Sequence, residues 1–320
     1  EIHDDIDPDQ AREYQFELDF ICQTRLTGLF KTQLADGILG LDNSKNAYWH
    51  QAMRANISDA SAFALCFARQ PTASREGTEA GAFTLGGFDE RLHNEGSSVL
   101  YTPFNKNERG IFDVDIKGIY LRKGGGGDSA LSTNASLPIM SLGPSEAELN
   151  SGRGLIDSGT TDTYLPREFR ADFMRVWKEM TSVPYHHEPI DLSEEELNRL
   201  PTVLFQLEGD TQANQKLGSS PYPLGTLGSA IPDVNRSMAE NFDVVVSMPA
   251  SHYMEYKNGR YINRLYVDDA FDSTLGANFM MGHDIVFEIE TGRLGWAEST
   301  CDYLSLLDEL GEPNPWERPG

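Results

Sequence analysis

The stretch Gly154-Leu155-Ile156-Asp157-Ser158-Gly159-Thr160-Thr161-Asp162-Thr163-Tyr164-Leu165-Pro166 decides how this chain is read. An apolar run ends in an aspartate; a small hydroxyl residue, a glycine and two more hydroxyls follow, and a helix is predicted from Pro166. A carboxylate at the end of a buried strand needs hydrogen-bond donors around it, because its ionised form is costly without them. Ser158, Thr160 and Thr161 are placed to supply those donors, and Gly159 lets backbone approach the carboxylate with no Cβ in the way. The segment thus describes a strand that delivers Asp157 onto a donor-rich turn.

Outward from that turn the texture is β-rich. Phe112, Val114 and Ile116 alternate with Asp113, Asp115 and Lys117, the period of a half-buried strand. Short runs at Phe83–Leu85, Val203–Leu207, Val244–Met248 and Ile285–Ile289 read the same way, with Gly, Asn or Pro near most of their ends. No sustained alternation of strand and helix appears, which argues against a doubly wound parallel sheet. Helices are expected at Pro166 to Met180, where Phe169, Phe173, Trp177 and Met180 keep helical spacing, after a capping-box pattern at Ser193–Glu196, and over Lys45 to Ala55. Each is expected to pack against a sheet. Gly124–Gly127 and Gly218–Pro232 read as flexible surface loops, and the acidic, proline-containing stretch from Leu304 to Gly320 as a linker or frayed end.

Composition narrows the function. The chain has 320 residues with 26 basic and 50 acidic side chains, a net charge of −24. Phosphate backbones and anionic lipid would be repelled, so a nucleic-acid partner is not expected. With 39% hydrophobic residues the acidity does not signal disorder, and the length allows about two compact units. No apolar run is long enough to span a bilayer, and the first residues have no signal-peptide pattern, so a processed or truncated start is expected. Cys22, Cys66 and Cys301 are too few for a disulfide scaffold and lack zinc spacing. Asn56, Asn134 and Asn235 head N-x-S sequons, candidate glycosylation sites compatible with secretion. His186-His187-Glu188 lacks a third ligand at motif spacing and reads as a solvated loop; His283-Asp284 reads as a turn pair at a strand start. No metal or organic cofactor is expected.

At Asp157–Pro166 the sequence resembles the pepsin-like aspartic peptidases, whose second lobe carries two apolar residues, Asp-Thr/Ser-Gly-Thr/Ser and a helix entered through a Leu-Pro-like turn. Further segments are similar to landmarks of that family, in the same order. They are Ala35-Asp36-Gly37-Ile38-Leu39-Gly40-Leu41, the Gly-rich hairpin Gly81–Asp89, and Tyr101-Thr102-Pro103 followed by Phe112–Ile119. Leu275–Met280, Val286–Ile289 and Arg293–Ala297 close the series. The resemblance spans about residues 16 to 303. It implies an all-β, bilobal fold with an incomplete amino-terminal lobe: residues 1–103 as the remainder of that lobe, 104–303 as the carboxyl-terminal lobe, and 304–320 as a tail.

The family carries one catalytic aspartate per lobe, and this chain has one matching loop; Asp128-Ser129-Ala130 and Asp272-Ser273-Thr274 lack the glycine. The resemblance implies that Asp157 is one member of a catalytic pair and that Ser158, Gly159 and Thr160 support its loop. A missing amino-terminal segment would then supply the second aspartate. It further implies a Cys66–Cys301 disulfide, with Cys22 paired to the absent region, although three buried thiols remain an alternative. The expected activity is endoproteolysis of a protein or peptide substrate in a secretory, vacuolar, lysosomal or other endomembrane setting, with any membrane anchor lying outside this chain. The alternative is a catalytically inactive binding protein on the same fold. Removal of part of a lobe is expected to expose apolar surface and lower solubility.

Overall fold

The computed structural model describes residues 15–25, 27–31, 37–69, 81–105, 110–125, 137–216, 242–269 and 272–311. Among them sixteen strands form, in chain order. They are β1 (Ala62–Phe67), β2 (Gly81–Leu85), β3 (Leu100–Pro103), β4 (Phe112–Val114), β5 (Ile116–Arg122), β6 (Ile139–Ser141), β7 (Gly154–Ile156) and β8 (Thr163–Pro166), followed by β9 (Thr202–Leu207), β10 (Val244–Met248), β11 (Met254–Lys257), β12 (Arg260–Asn263), β13 (Leu265–Asp269), β14 (Ser273–Leu275), β15 (His283–Glu288) and β16 (Arg293–Glu298). The runs expected at Phe83–Leu85, Val203–Leu207 and Val244–Met248 lie in this set, and that at Ile285–Ile289 does so up to Glu288. The run through Phe112, Val114 and Ile116 is not one half-buried strand but breaks at Asp115 into β4 and β5, which join different sheets, and Asp113 is buried.

Three sheets carry the fold. The first is antiparallel, in the order β2-β1-β15-β16-β3, and so joins residues 62–103 to residues 283–298. The second, β10-β9-β5-β6, is also antiparallel. The third, β13-β8-β14-β7-β4, is mixed: β14 runs parallel to β7, β13 parallel to β8, and the remaining pairs are antiparallel. A hairpin, β11-β12, stands apart. The protein is therefore sheet-rich, with several antiparallel sheets.

The pleat explains the core. Phe63 of β1 stacks on Phe287 of β15 with ring centroids 4.5 Å apart, and Phe112 of β4 meets Phe287 edge-on at 4.8 Å. These rings link the first sheet to the third, and one continuous apolar cluster runs from Ala47 to Trp296. Each fully buried aromatic or aliphatic side chain of this kind contributes roughly 1.5–3 kcal/mol.

Several expectations change in detail. Pro166 is the last residue of β8, with ψ 147°, so the long helix does not start there. A 3-10 turn at Arg167–Phe169 leads into the helix Arg170–Met180, which buries Phe173, Val176, Trp177 and Met180 on one stripe. The helix expected over Lys45 to Ala55 is shorter, Tyr48–Arg54. The capping box is present: Ser193 Oγ accepts from the Glu196 N–H at 3.2 Å and the Glu196 carboxylate accepts from the Ser193 N–H at 2.9 Å. Short helices at Glu146–Leu149, Thr211–Gln215, Ala250–Tyr253 and Ala277–Met280 have no counterpart in the sequence reading, because one turn is too short to show a period.

The stretch from Leu304 is not a tail throughout. Tyr303–Leu310 is a helix, capped by Asp302, whose carboxylate accepts from the Ser305 N–H at 3.1 Å, and ended by Gly311 in the left-handed region at φ 68°. Gly124 is packed rather than free, since a Cβ there would lie 2.4 Å from the Arg199 carbonyl carbon. Gly126, Gly127 and the loop Gly218–Pro232 lie outside the described residues, as do Asn134 and Asn235.

Cys66 and Cys301 form a disulfide, with Cα atoms 5.3 Å apart. The bridge ties β1 to the segment beyond β16 and is buried beside Leu92. Cys22 is a free, exposed cysteine. Leu18, Phe20, Ile21, Ile38 and Leu39, all outside the strands, are also exposed. No helix among the described residues is long and apolar enough to cross a membrane.

Candidate functional site

The third sheet builds the site. β7 ends at Ile156, and the Asp157 N–H donates to the Leu275 carbonyl of β14 at 3.1 Å, which pins the start of the turn. The Thr160 N–H donates back to the Asp157 carbonyl at 3.2 Å and closes it. The carboxylate is gripped from the chain that follows: Oδ1 accepts from the Gly159 N–H at 2.9 Å, and Oδ2 accepts from Thr160 Oγ1 at 2.5 Å. Both carboxylate oxygens thus have a fixed donor, and the side chain is half-buried. A Cβ at residue 159 would sit 3.1 Å from Oδ1, so glycine is what leaves room for that approach.

Of the three hydroxyls expected to serve Asp157, only that of Thr160 does so. Ser158 and Thr161 are exposed and make no hydrogen bond to the carboxylate among the described residues. Thr161 contributes through its backbone instead: its carbonyl accepts from the Asn278 N–H at 3.1 Å, while the Thr160 carbonyl accepts from the Ala277 N–H at 2.7 Å. The loop is therefore clamped against the one-turn helix Ala277–Met280. Gly276 permits this clamp, because a Cβ there would lie 2.2 Å from the Asp162 carbonyl oxygen.

Asp157, Ser158 and Gly159 open onto a cavity of about 300 Å³. Its walls are mostly apolar, with Leu39, Leu41, Phe63, Leu65, Phe112 and Phe287 among them. A second aspartate, Asp42, also lines the cavity. Its Oδ1 accepts from Ser44 Oγ at 2.8 Å, and its carbonyl accepts from Trp49 Nε1 at 2.9 Å. Asp42 lacks the Ser-Gly that marked Asp157, so no motif pointed to it.

The two histidine motifs are more than turns. His187 stacks on Tyr266 with centroids 4.3 Å apart, and its Nδ1 pairs with the Asn263 carbonyl at 3.0 Å. The solvated loop expected there is half-buried, because the β13 aromatic gives the imidazole a partner. His283 and Asp284 open β15, at the strand start expected, but they are buried and paired in the sheet and do not form a turn; Asp284 Oδ2 pairs with His93 Nε2 at 3.0 Å. Burial holds the His283 imidazole down to about 4 and His252 well below its usual range, with the Arg69 charge adding to both. No group of three or more His, Cys, Asp or Glu side chains arranged for a metal ion occurs among the described residues. Asn56 is exposed, with φ 60°.

Beside the Asp157 loop, Asp162 lies near Arg264, Oδ2 to Nη1 being 3.9 Å, and Arg264 Nε donates to Glu255 at 2.7 Å. Burial holds the Asp162 carboxyl above its ordinary value against the pull of Arg264. Comparison with protein-family models and with curated proteins finds no match to this chain.

Proposed function

We propose that the chain belongs to an aspartic endopeptidase of the pepsin-like, bilobal class whose first lobe is incomplete here. The observation that carries the reading is the carboxylate of Asp157, held at the mouth of the apolar cavity by the Gly159 N–H and the Thr160 hydroxyl. A carboxylate fixed at both oxygens keeps its orientation without a counter-ion, which is what a group exchanging protons with a bound water requires. In this chemistry two facing carboxylates share one proton. The ionised one takes a proton from water as it attacks the scissile carbonyl, and the protonated one polarises that carbonyl. Asp157 fills one of these roles. The reading requires a second carboxylate facing it; Asp42 lines the same cavity but carries no Asp-Thr/Ser-Gly loop. The apolar cavity wall suits a hydrophobic peptide side chain, and the chain's acidity suits an acidic or endomembrane compartment.

The test is hydrolysis of a denatured protein substrate at acidic pH by the full-length gene product and by its Asp157→Asn variant. Cleavage that disappears in the variant, with folding unchanged, supports the reading; cleavage that persists ends it. The single Asp-Ser-Gly loop favours one alternative, a binding protein on the same fold that holds peptides without turning them over. Peptide binding by the full-length product, with no cleavage at any pH, selects that alternative.

A further inference from the structure

The face of the third sheet that carries Asp157 also carries a ladder of stacked rings. Strand register sets Tyr266 of β13 beside Tyr164 of β8, Tyr164 beside Thr274 of β14, and Thr274 beside Leu155 of β7. Laterally paired residues point to the same side of a sheet, and Asp157 follows Leu155 by the two-residue pleat repeat. Leu155, Thr274, Tyr164 and Tyr266 are all half-buried, whereas Ile156, Leu275, Leu165 and Val267 on the opposite face are buried. One partly open surface thus runs from Asp157 across to Tyr266.

The rings on that surface stand upright and in line. Tyr164 and Tyr266 are stacked with centroids 5.0 Å apart and planes within 14°, close to the roughly 4.8 Å between neighbouring strands. His187 continues the stack beyond Tyr266, its plane 10° from that of the tyrosine. The ladder ends on the Tyr164 ring face that looks towards Thr274 and Asp157. That face has no ring partner among the described residues. Thr274, next in the row, has a short side chain, and Leu155 lies two strands away, about 10 Å. The space over Thr274 therefore has an aromatic wall on one side and an aliphatic wall on the other, a separation that admits a flat group.

Charge selects which flat group. The tyrosine pair is bordered by Asp162, Glu255 and the exposed Asp268, against two guanidiniums: Arg264, engaged by Glu255, Asp162 and the Tyr266 side chain, and Arg170, which donates to the Val267 carbonyl at 3.4 Å. The remaining imbalance is negative, on a protein of net charge −24. A planar cation meets both requirements: it stacks on the tyrosine and is drawn by the carboxylates, as arginine does better than lysine.

We infer that Tyr164, backed by Tyr266 and His187 and flanked by Asp162, is a binding site for an arginine side chain of a peptide lying along the Asp157 face. The inference rests on the peptidase reading only in treating that peptide as a substrate. Short synthetic peptides with an apolar central pair, carrying either arginine or the uncharged isostere citrulline at each flanking position in turn, test it. Binding is measured by fluorescence anisotropy on the full-length product carrying Asp157→Asn, and hydrolysis on the unmodified protein. At one position arginine binds about tenfold tighter than citrulline. That ratio falls towards one in Tyr164→Leu, survives in Tyr164→Phe, and shrinks in Asp162→Asn.

Retention by phenylalanine separates ring stacking from a loss of fold. A preference for arginine at no position, or one that Tyr164→Leu leaves intact, overturns the inference. The two proposals fail separately. An arginine preference without hydrolysis keeps the site and removes the peptidase; hydrolysis without an arginine preference does the reverse.

Discussion

Reduction of Cys66–Cys301 should cost this protein as much stability as the truncation of a large core side chain. The bridge spans 235 residues of sequence, and closing a loop of that length removes entropy from the unfolded chain worth up to about 5 kcal/mol. In the folded state little is asked of the bridge, because β1 and β15 already pair with Cys66 opposite Asp284, and Cys301 follows shortly after β16. The stabilisation therefore acts mainly on the unfolded ensemble. Replacing both residues, Cys66→Ala with Cys301→Ala, should lower the urea midpoint by the equivalent of about 2–5 kcal/mol and the melting temperature by on the order of 10 °C. Alkylation of the denatured, unreduced chain should label Cys22 alone, and after reduction all three cysteines. A midpoint that is the same in the double variant and the oxidised protein would refute the loop-entropy argument. Labelling of Cys66 before reduction would refute the bridge itself.

The remaining predictions concern the site and its pH dependence. Thr160→Val removes the donor to Asp157 Oδ2, and should lower kcat for peptide hydrolysis by about tenfold or more while leaving the melting temperature within a few degrees. Asp42→Asn should leave hydrolysis nearly unchanged, since asparagine preserves the acceptor used by Ser44; loss of activity would instead make Asp42 the second acid. Gly276→Ala forces a Cβ to 2.2 Å from the Asp162 carbonyl oxygen, and should displace the Asp157 loop with a stability loss of about 1–3 kcal/mol, read by urea titration. His283 is held neutral in the fold, down to about 4, so the unfolded chain takes up its proton first as pH falls. Its contribution is complete above about pH 6.5 and is lost on acidification towards pH 4, costing on the order of 3 kcal/mol, and His252 acts in the same direction. Asp162 and Asp243, raised by burial, oppose that loss as they gain protons in the fold. His283→Gln should therefore flatten the fall in urea midpoint between neutral and acidic pH.

What the sequence made legible was what is written in adjacent residues. Asp157, Gly159 and Thr160 sit within one turn, so their hydrogen-bond pattern was readable from order alone; Ser158 and Thr161 looked equivalent to Thr160 but face outward. Strands such as β9 and β10 were visible because apolar β-branched and aromatic residues crowd them. Pro166 misled because proline suits both a helix start and a strand end, and the sequence around it does not choose. Asp42 reaches the cavity through tertiary packing of a loop with no motif. The stacking of Tyr164 on Tyr266 depends on β13 lying beside β8, a pairing between segments about 100 residues apart that no local period reveals.

The pairing of β14 with β7 and β8 bears on how the Asp157 loop is held. β14 is bonded on one side to β7, which leads into Asp157, and on the other to β8, which leads out of the loop. The loop's two ends are thus fixed to one short strand, Ser273–Leu275, and its middle is clamped by the helix that begins just after that strand. A displacement of β14 moves Asp157 and Tyr164 together. Arg153 and Asp272 reinforce the arrangement just outside the parallel pair, with Nη2 2.9 Å from Oδ2 and the Arg153 N–H donating to Oδ1 at 3.0 Å. Because that pair is partly exposed, its direct worth is about 1 kcal/mol or less. Its consequence is register rather than stability: a slip of one residue between β7 and β14 would turn Asp157 to the buried face and Tyr164 out of line with Leu155. Asp272→Ala should therefore reduce hydrolysis and arginine discrimination in parallel while changing the melting temperature only slightly. A variant that lost one of the two functions and kept the other would show that the sheet does not couple them.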